Sequence, residues 1–265
     1  MTDLSPRQQA LKEKFIKERG YWKGVWAKLL EVDTDFFEAY LDFTAIPTRH
    51  GYLEPYVREL LYIAIDISTT HLYEPGLRVH IRNALALGRS PEEIMEVYEL
   101  TAAIGMHSMS MGVPALRDEL KRAGREMKPL SDGELSARQK ELKAQFEREV
   151  GPCEGEWQQM LEMDPDFFKA CLDFTAVPWR NGKLSPKIKE FVYIAVDAAT
   201  THLYEPGLKL HIRKALKLGA TPQEVMEVLE CSAVLGMHTI AMGLPAMLDE
   251  MEKAKARAPA QKKAG

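Results

Sequence analysis

Two copies of one histidine-containing stretch carry the residue types best suited to chemistry. The first copy, at residues 69–83, reads TTHLYEPGLRVHIRN, and the second, at residues 200–214, reads TTHLYEPGLKLHIRK. Twelve of the fifteen positions are identical, and each copy places a histidine on either side of a Tyr-Glu-Pro-Gly break. Histidine changes its charge near neutral pH and is also a common metal ligand. The stretch therefore predicts either proton transfer or metal binding.

The two stretches belong to a tandem repeat that covers almost the whole chain. Trp26 corresponds to Trp157 and His71 to His202, always 131 positions apart and with no insertion between them. Copies of this length are far longer than the units of solenoid proteins, so we interpret them as duplicated domains. We predict domains at residues 1–127 and 128–252, joined at the turn-forming sequence KPLSDGE, and a flexible basic tail at residues 253–265.

Every strong periodic signal within one copy is helical. Apolar residues recur with the spacing of an amphipathic helix, proline stands at several predicted first turns, and no useful stretch alternates with period two. We predict helices over residues 6–17, 33–44, 55–72, 75–88 and 91–105 and from residue 114 onward, with a loop at 47–51. The predicted fold class is all-α.

The histidines are the polar residues that the duplication keeps most completely. Six of the seven have a histidine at the matching position of the other copy, and only His50 does not. The matched pairs are His71 and His202, His80 and His211, and His107 and His238. Duplicated copies diverge where nothing constrains them, so this retention indicates a constraint on all three pairs, either a function or a place in the core.

The predicted helix at 55–72 is apolar on most sides, yet it carries Glu59, Tyr62 and Asp66 on one face. The second copy repeats all three residue types at 190, 193 and 197. A buried carboxylate is costly unless it is paired or hydrogen-bonded. We therefore expect these carboxylates to face the histidines or the arginines at 82 and 213, and a helical hairpin to bring His80 back towards Glu59.

Three segments of each copy together resemble a known family. RELLYIAID, HIRNALALGRSPEEIMEV and MGVPAL resemble the carboxymuconolactone decarboxylase superfamily, over residues 53–116 and 184–247. The resemblance implies an all-α fold that assembles into trimers or hexamers. It also implies a site between helices at His80 and His211, with Glu59 and Glu190 as the helix-start glutamates. Because the chain is duplicated, we expect a homo-oligomer, a trimer that mimics a hexamer.

The thiol peroxidase branch of this superfamily needs a Cys-x-x-Cys motif shortly before the histidine, because a thiolate attacks the peroxide. The candidate positions here, 71–74 and 73–76, read HLYE and YEPG. None of the three cysteines has a counterpart in the other copy. Thiol peroxidase chemistry is therefore excluded.

We predict an enzyme of the decarboxylase type, without a cofactor. It would use histidine-centred acid–base chemistry on a small carboxylated or lactone compound, such as a product of aromatic-ring breakdown. The predicted catalytic residues are His80, His211, Glu59, Glu190, His71 and His202. The predicted substrate-binding residues are Arg82, Arg213, Tyr73, Tyr204, His107 and His238.

Two alternatives remain open at this point. One is a metal-dependent enzyme whose ligands would be His71, His80, His107 and Glu74, a donor set acceptable to zinc or iron. The other is a non-catalytic oligomeric binding protein.

Composition narrows the range of partners. A formal net charge of -4 and a pI near 6.0 give no electrostatic footprint for nucleic acid. We find no apolar run of roughly 18 residues that would span a bilayer, and no apolar signal sequence in the polar N-terminus. We therefore expect a cytoplasmic protein that binds a small molecule and neither nucleic acid nor membrane.

Overall fold

A computed structural model describes residues 4–19, 22 and 24–257, and it confirms the all-α prediction. Within these residues the chain forms α-helices and two short 3₁₀ turns, Ala103–Met106 and Leu235–Met237, and no strand. The helices of the first copy are α1 Pro6–Arg19, α2 Val25–Val32, α3 Thr34–His50, α4 Pro55–Ile67, α5 Glu74–Ala86, α6 Pro91–Ala102 and α7 His107–Arg122. Those of the second copy are α8 Ala137–Glu149, α9 Gly155–Met163, α10 Pro165–Asn181, α11 Pro186–Ala198, α12 Glu205–Lys217, α13 Pro222–Val234 and α14 His238–Arg257.

Several predicted helix boundaries were wrong, and prolines explain two of the errors. Helix α3 continues through Pro47, which is buried, so the packing of its ring offsets the backbone hydrogen bond that proline cannot donate. Helix α7 begins seven residues before Pro114 and likewise contains it. Helix α4 ends at Ile67 rather than at residue 72, and the sequence analysis did not predict α2 at all. The predicted tail begins inside α14, and its part beyond residue 257 lies outside the described residues.

One helical stretch, Pro222–Lys255, is long and apolar enough to cross a membrane by length and composition alone. Its most apolar window has a mean hydropathy of 1.5, so the sequence analysis was wrong to find no such run. A single stretch of this kind is weak evidence, because core helices of soluble proteins pass the same test.

The chain packs as two compact units whose limits differ from those of the sequence copies. The first unit takes the residues up to Tyr52 and those from Ala233 onward, and the second takes Leu53–Ser232. In the first unit, α14 of the second copy packs against α1–α3 of the first copy, with Leu244 of α14 inside their core. The other buried members of that core are Leu11, Phe15, Leu29, Leu30, Phe37, Tyr40 and Leu41.

The second unit repeats this exchange in the opposite sense. Here α7 of the first copy packs against α8–α10 of the second copy, and Met106 and Met109 contact their core. That core consists of Leu142, Phe146, Cys153, Met160, Leu161, Phe168, Cys171 and Leu172. In both units, three helices of one copy are therefore completed by the last helix of the other. The predicted sequence division at 127/128 stays a prediction, but it is not where the packing divides.

Helices α4 and α11 pack against each other in the second unit, and buried ion pairs tie each of them to the other copy. Arg58 of α4 contacts Glu227 of α13 at 2.8 Å, and both side chains are at most 9% exposed. At the matching positions, Lys189 of α11 contacts Glu96 of α6 at 2.9 Å, and both are at most 4% exposed. The sequence analysis did not predict these pairs.

The two glutamates also hold the loops that precede α4 and α11. Glu227 accepts a hydrogen bond from the backbone N–H of Leu53, and Arg58 donates to the carbonyl of the same residue. Glu96 accepts from the backbone N–H groups of Lys183 and Leu184. A buried charge is tolerated when an ion-pair partner and hydrogen bonds of this kind compensate for the loss of water.

We predict that Arg58→Met destabilises the protein by about 3–5 kcal/mol, because it leaves the carboxylate of Glu227 buried and without its ion-pair partner. The free energy of unfolding from urea titration measures the effect. Adding Glu227→Gln to this variant should recover part of the loss, since it removes the stranded charge.

Arg122→Met is the matched control, because Arg122 pairs with Glu119 on an exposed face of α7. That change should cost less than about 1 kcal/mol. Equal losses for Arg58→Met and Arg122→Met would show that the buried pair has no special role in stability.

Candidate functional site

A histidine on α12 lies against a glutamate on α11, as the sequence predicts. His211 Nδ1 lies 2.6 Å from Glu190 Oε2, and the ring of Tyr193 stacks on the imidazole at 4.4 Å. The first copy repeats this pair on α4 and α5, where His80 Nδ1 lies 2.7 Å from Glu59 Oε2. In each copy the pair spans 21 residues, so the hairpin of two helices brings the partners together.

The link between α11 and α12 is short and has an unusual backbone conformation. The carbonyl of Ala199 accepts hydrogen bonds from the N–H groups of His202 and Leu203, and Tyr204 N–H donates to the carbonyl of Asp197. Leu203 has φ 51°, and its counterpart Leu72 has φ 53°. A left-handed non-glycine residue costs roughly 1–2 kcal/mol, yet both copies keep it. The two links therefore share one conformation, which in the second copy places His202 and Tyr204.

A second polar cluster combines residues of both copies within the second unit. His107, the first residue of α7, has its Nδ1 2.7 Å from Nε2 of His202. Asp197 Oδ1 lies 3.8 Å from that Nδ1 and 3.9 Å from that Nε2. We call His107, His202 and Asp197 the His–His–Asp cluster. The sequence analysis named both histidines but did not predict that they meet across the copies.

Burial sets the protonation of this cluster. It lowers the pKa of His107 to about 4, an effect to which the nearby rings of His202 and His211 add. Burial also lowers the pKa of His202 and raises the pKa of Asp197 to about 7. Both imidazoles are therefore uncharged at neutral pH, and among the described residues no lysine or arginine pairs with Asp197 to favour its ionised form.

A cavity of about 640 Å³ in the second unit connects the two groups of polar residues. His211 and Glu190 line it, and so do His107 and Tyr204, whose rings stack at 3.8 Å. The apolar part of the wall includes the aromatic side chains of Phe146, Trp157 and Trp179. The volume suits a small molecule. We call this space the second-copy cavity.

Among the described residues, three cations line the second-copy cavity, and Arg213 is not one of them. They are Arg180, Lys214 and Lys217, and Arg180 is paired with Glu149. Arg213 is exposed, because residues two apart on a helix do not share a face and Arg213 follows His211 by two. Arg82 is likewise exposed on α5. A substrate-binding role for Arg82 and Arg213 stays a prediction, with Lys214 better placed.

His71, Tyr73 and His238 were also predicted as site residues. The ring of His71 contacts that of Tyr73 at 5.8 Å, and burial lowers the pKa of His71. His238 begins α14 in the first unit and is half-buried.

The alternative metal set does not come together in the described residues. Glu74 pairs with Arg78 on the surface, His80 with Glu59, and His107 with His202.

Neither lysine of the second-copy cavity was predicted, although the sequence carried a signal for Lys214. The three positions that differ between the two histidine-containing stretches include Val79/Leu210 and Asn83/Lys214. Both Leu210 and Lys214 line the cavity. Positions that differ between the copies therefore supply part of the wall, beside identical positions such as Tyr204 and His211.

Both copies of the chain match the sequence model of one protein family. The sequence model of the carboxymuconolactone decarboxylase family matches residues 34–123 and 165–247, which together make up about two thirds of the chain. The chain belongs to the carboxymuconolactone decarboxylase family. Because the model matches twice, this is a duplicated member, as the sequence predicts. No curated relative matches the chain.

A solved structure is similar to almost the entire chain. It is provisionally described as a gamma-carboxymuconolactone decarboxylase subunit of Burkholderia xenovorans LB400. The two sequences are 41% identical, and the structures superpose with a TM-score of 0.88 over 95% of this chain and 100% of that chain. The likeness therefore extends over both copies and not only over one family segment.

We predict that Gly207→Ala destabilises the protein by about 1–3 kcal/mol, since the added methyl group would overpack this site. A Cβ atom at position 207 would lie closer than 3.0 Å to Asp197 Oδ2 and 2.7 Å from Cδ1 of Tyr204. Thermal unfolding followed by circular dichroism measures the change.

Gly112→Ala is the control, because Gly112 is helical and a Cβ there would meet nothing within 4 Å. It should raise stability by about 0.5–1 kcal/mol, the usual gain on replacing glycine by alanine in a helix. A Gly207→Ala variant that is as stable as Gly112→Ala would contradict the close approach.

Proposed function

We propose that the second-copy cavity is the active site of a carboxymuconolactone decarboxylase-like enzyme. It would act by acid–base chemistry on a small carboxylated or lactone compound. The observation that carries this proposal is the contact of 2.6 Å between His211 Nδ1 and Glu190 Oε2 at the wall of the cavity. Family membership and the described relative support the decarboxylase class.

The pairing with glutamate assigns a role to each nitrogen of His211. A carboxylate accepts the hydrogen of Nδ1–H, so this contact orients the ring and fixes the tautomer of the neutral form. The other nitrogen, Nε2, then exchanges a proton with the substrate. Glu190 is only 3% exposed and has little freedom to turn away. It therefore acts as the positioning residue of His211.

In the proposed reaction the bond between a carboxylate carbon and its neighbouring carbon breaks, and CO₂ leaves. The electron pair of that bond is delocalised onto the lactone carbonyl as an enolate. Protonated His211 then donates the Nε2 proton to carbon, which restores the neutral lactone. Burial raises the pKa of Tyr204, so its hydroxyl stays protonated and can donate a hydrogen bond to the enolate oxygen.

The wall of the cavity suits a substrate with more than one charge. Lys214 and Lys217 offer cations to a carboxylate that remains in the product. Phe146 and Trp157 offer an apolar surface to the carboxylate that loses its charge as CO₂ departs. The predicted trimer and the predicted cytoplasmic location stay predictions.

We predict that His211→Asn lowers kcat/KM by about 10²–10⁴-fold. The asparagine amide can replace Nδ1–H in the contact with Glu190, but it has no group in the place of Nε2. The assay follows CO₂ release from γ-carboxymuconolactone, the compound that gives the relative its description. Because the first copy holds the same pair, His80→Asn and the double variant are measured alongside.

The double variant His80→Asn/His211→Asn should be inactive, and comparison of the single variants shows which copy works. His50→Ala is the control, since His50 is exposed and has no counterpart in the second copy. If the double variant kept turnover within about threefold of the wild type, histidine acid–base chemistry would be wrong. If the wild type released no CO₂, the decarboxylase assignment would fail, and the non-catalytic binding protein would gain support.

We also predict that Lys214→Asn, which introduces the residue of the first copy, raises KM by about 10–100-fold and changes kcat less. The expected size is that of one lost hydrogen bond to a charged group. Steady-state kinetics on the same compound separate the two constants.

Lys209→Asn is the matched control on the same helix, because Lys209 is exposed, pairs with Glu205 and does not line the cavity. A larger effect of Lys209→Asn than of Lys214→Asn would rule out carboxylate binding at Lys214.

A further inference from the structure

We propose that the His–His–Asp cluster is a binding site for a divalent transition-metal cation, to which His107, His202 and Asp197 each supply one ligand atom. Their donor atoms all lie within 4.8 Å of one another. This set differs from the one that the sequence suggested, and it shares no residue with the His211–Glu190 pair. The inference therefore stands apart from the proposed acid–base function.

Burial is the first argument for a cation. The side chain of Asp197 is only 2% exposed, and among the described residues its Oδ2 atom has no hydrogen-bond partner. Oδ1 faces the nitrogens of His107 and His202 and, in the same described part of the chain, no lysine or arginine pairs with this carboxylate. A buried carboxylate without a compensating charge is costly, and a bound cation would supply that charge.

Distance is the second argument. With separations of 2.7, 3.8 and 3.9 Å, the three donor atoms lie on a circle of small radius. The centre of that circle is about 2.1 Å from each atom, which is the usual length of a zinc–nitrogen or zinc–oxygen bond. A small outward rotation of the imidazoles would bring the two nitrogens to the roughly 3.3 Å that tetrahedral coordination requires.

A bound cation would replace the hydrogen that the two imidazoles share in their short contact. Two uncharged imidazoles 2.7 Å apart share one hydrogen, carried by either His107 Nδ1 or His202 Nε2. To bind a metal, the ring that carries this hydrogen moves it to its other nitrogen. Both ligand nitrogens then present lone pairs, and this tautomer change needs no net loss of a proton from the two rings.

Donor chemistry narrows the choice of ion. Two imidazole nitrogens and one carboxylate oxygen suit zinc or ferrous iron, and they offer too few oxygens for calcium or magnesium. Three protein ligands leave a coordination position for water or a substrate oxygen. His107 also lines the second-copy cavity, so an ion bound to it would lie at the cavity wall.

Neighbouring residues hold the three side chains of the His–His–Asp cluster in position. Leu203 holds its left-handed conformation immediately after His202, and Gly207 leaves room for Asp197 Oδ2. Tyr204 stacks on His107 at 3.8 Å and so orients the plane of that ring. Metal ligands in proteins are commonly oriented by such neighbouring contacts.

The test is Zn²⁺ binding by the full-length protein, purified and then stripped with EDTA. Calorimetric titration with ZnCl₂ gives the affinity, and elemental analysis after gel filtration gives the bound equivalents. Asp197→Asn and His107→Phe each remove one ligand, and the second variant keeps an aromatic ring against Tyr204. We expect the wild type to retain Zn²⁺, and each variant to retain about one equivalent less or to bind at least about tenfold more weakly.

The number of Zn²⁺ equivalents that each variant loses is compared, and not the total bound, because other histidines and acidic residues of the chain can also bind Zn²⁺. His50→Ala controls for surface histidines and should bind as the wild type does. Circular dichroism checks that each variant is folded, and Co²⁺ absorption of the wild type reports nitrogen and oxygen coordination if a variant fails to fold.

Two results would overturn the proposal. One is a wild type that retains less than about a tenth of an equivalent and shows no saturable binding. The other is Zn²⁺ binding that Asp197→Asn and His107→Phe leave unchanged. In either case the cluster is a hydrogen-bonded histidine pair beside a buried carboxyl group.

Discussion

Four buried charges fix how the two copies of this chain interlock. Arg58 with Glu227, and Lys189 with Glu96, join each copy to the other while almost fully removed from water. In a buried site, removal of one partner destabilises the protein far more than the intact pair stabilises it. The pairs therefore restrict how the helices of the two copies can align. They position α4 and α11, and these two helices carry the glutamates that meet the histidines. The geometry of the site therefore depends on contacts between copies.

The same interlocking explains why the second-copy cavity contains a histidine from the first copy. Helix α7 completes the helical core of α8–α10, and its first residue, His107, is thereby placed against His202 and Tyr204. One copy alone would lack that wall of the cavity. Covalent joining of two family domains thus provides the second copy with a residue that its own sequence does not place there.

The sequence predicted those features that depend on local periodicity and missed those that depend on packing between copies. The helices and the contact of His80 with Glu59 follow from spacing within one hairpin. His107 and His202 are 95 residues apart, and no periodicity encodes their meeting. The same limit applies to Pro47, whose place inside a helix depends on burial that only the tertiary structure provides. A proline signal is local, and tertiary packing can outweigh it.

The residues around the histidine–glutamate pair differ between the two copies, although both copies keep the pair. Glu190 is 3% exposed, whereas Glu59 is 18% exposed and also accepts a hydrogen bond from Asn83. At the position of Asn83 the second copy has Lys214, which lines the cavity. Glu190 of that copy contacts His211. In the first copy the amide of Asn83 donates to Oε1 of Glu59 while His80 contacts Oε2, so the glutamate is shared between two partners. In the second copy the lysine at the matching position lines the cavity and adds a cation there. Beside the same histidine, the second copy therefore has a lysine where the first copy has an amide.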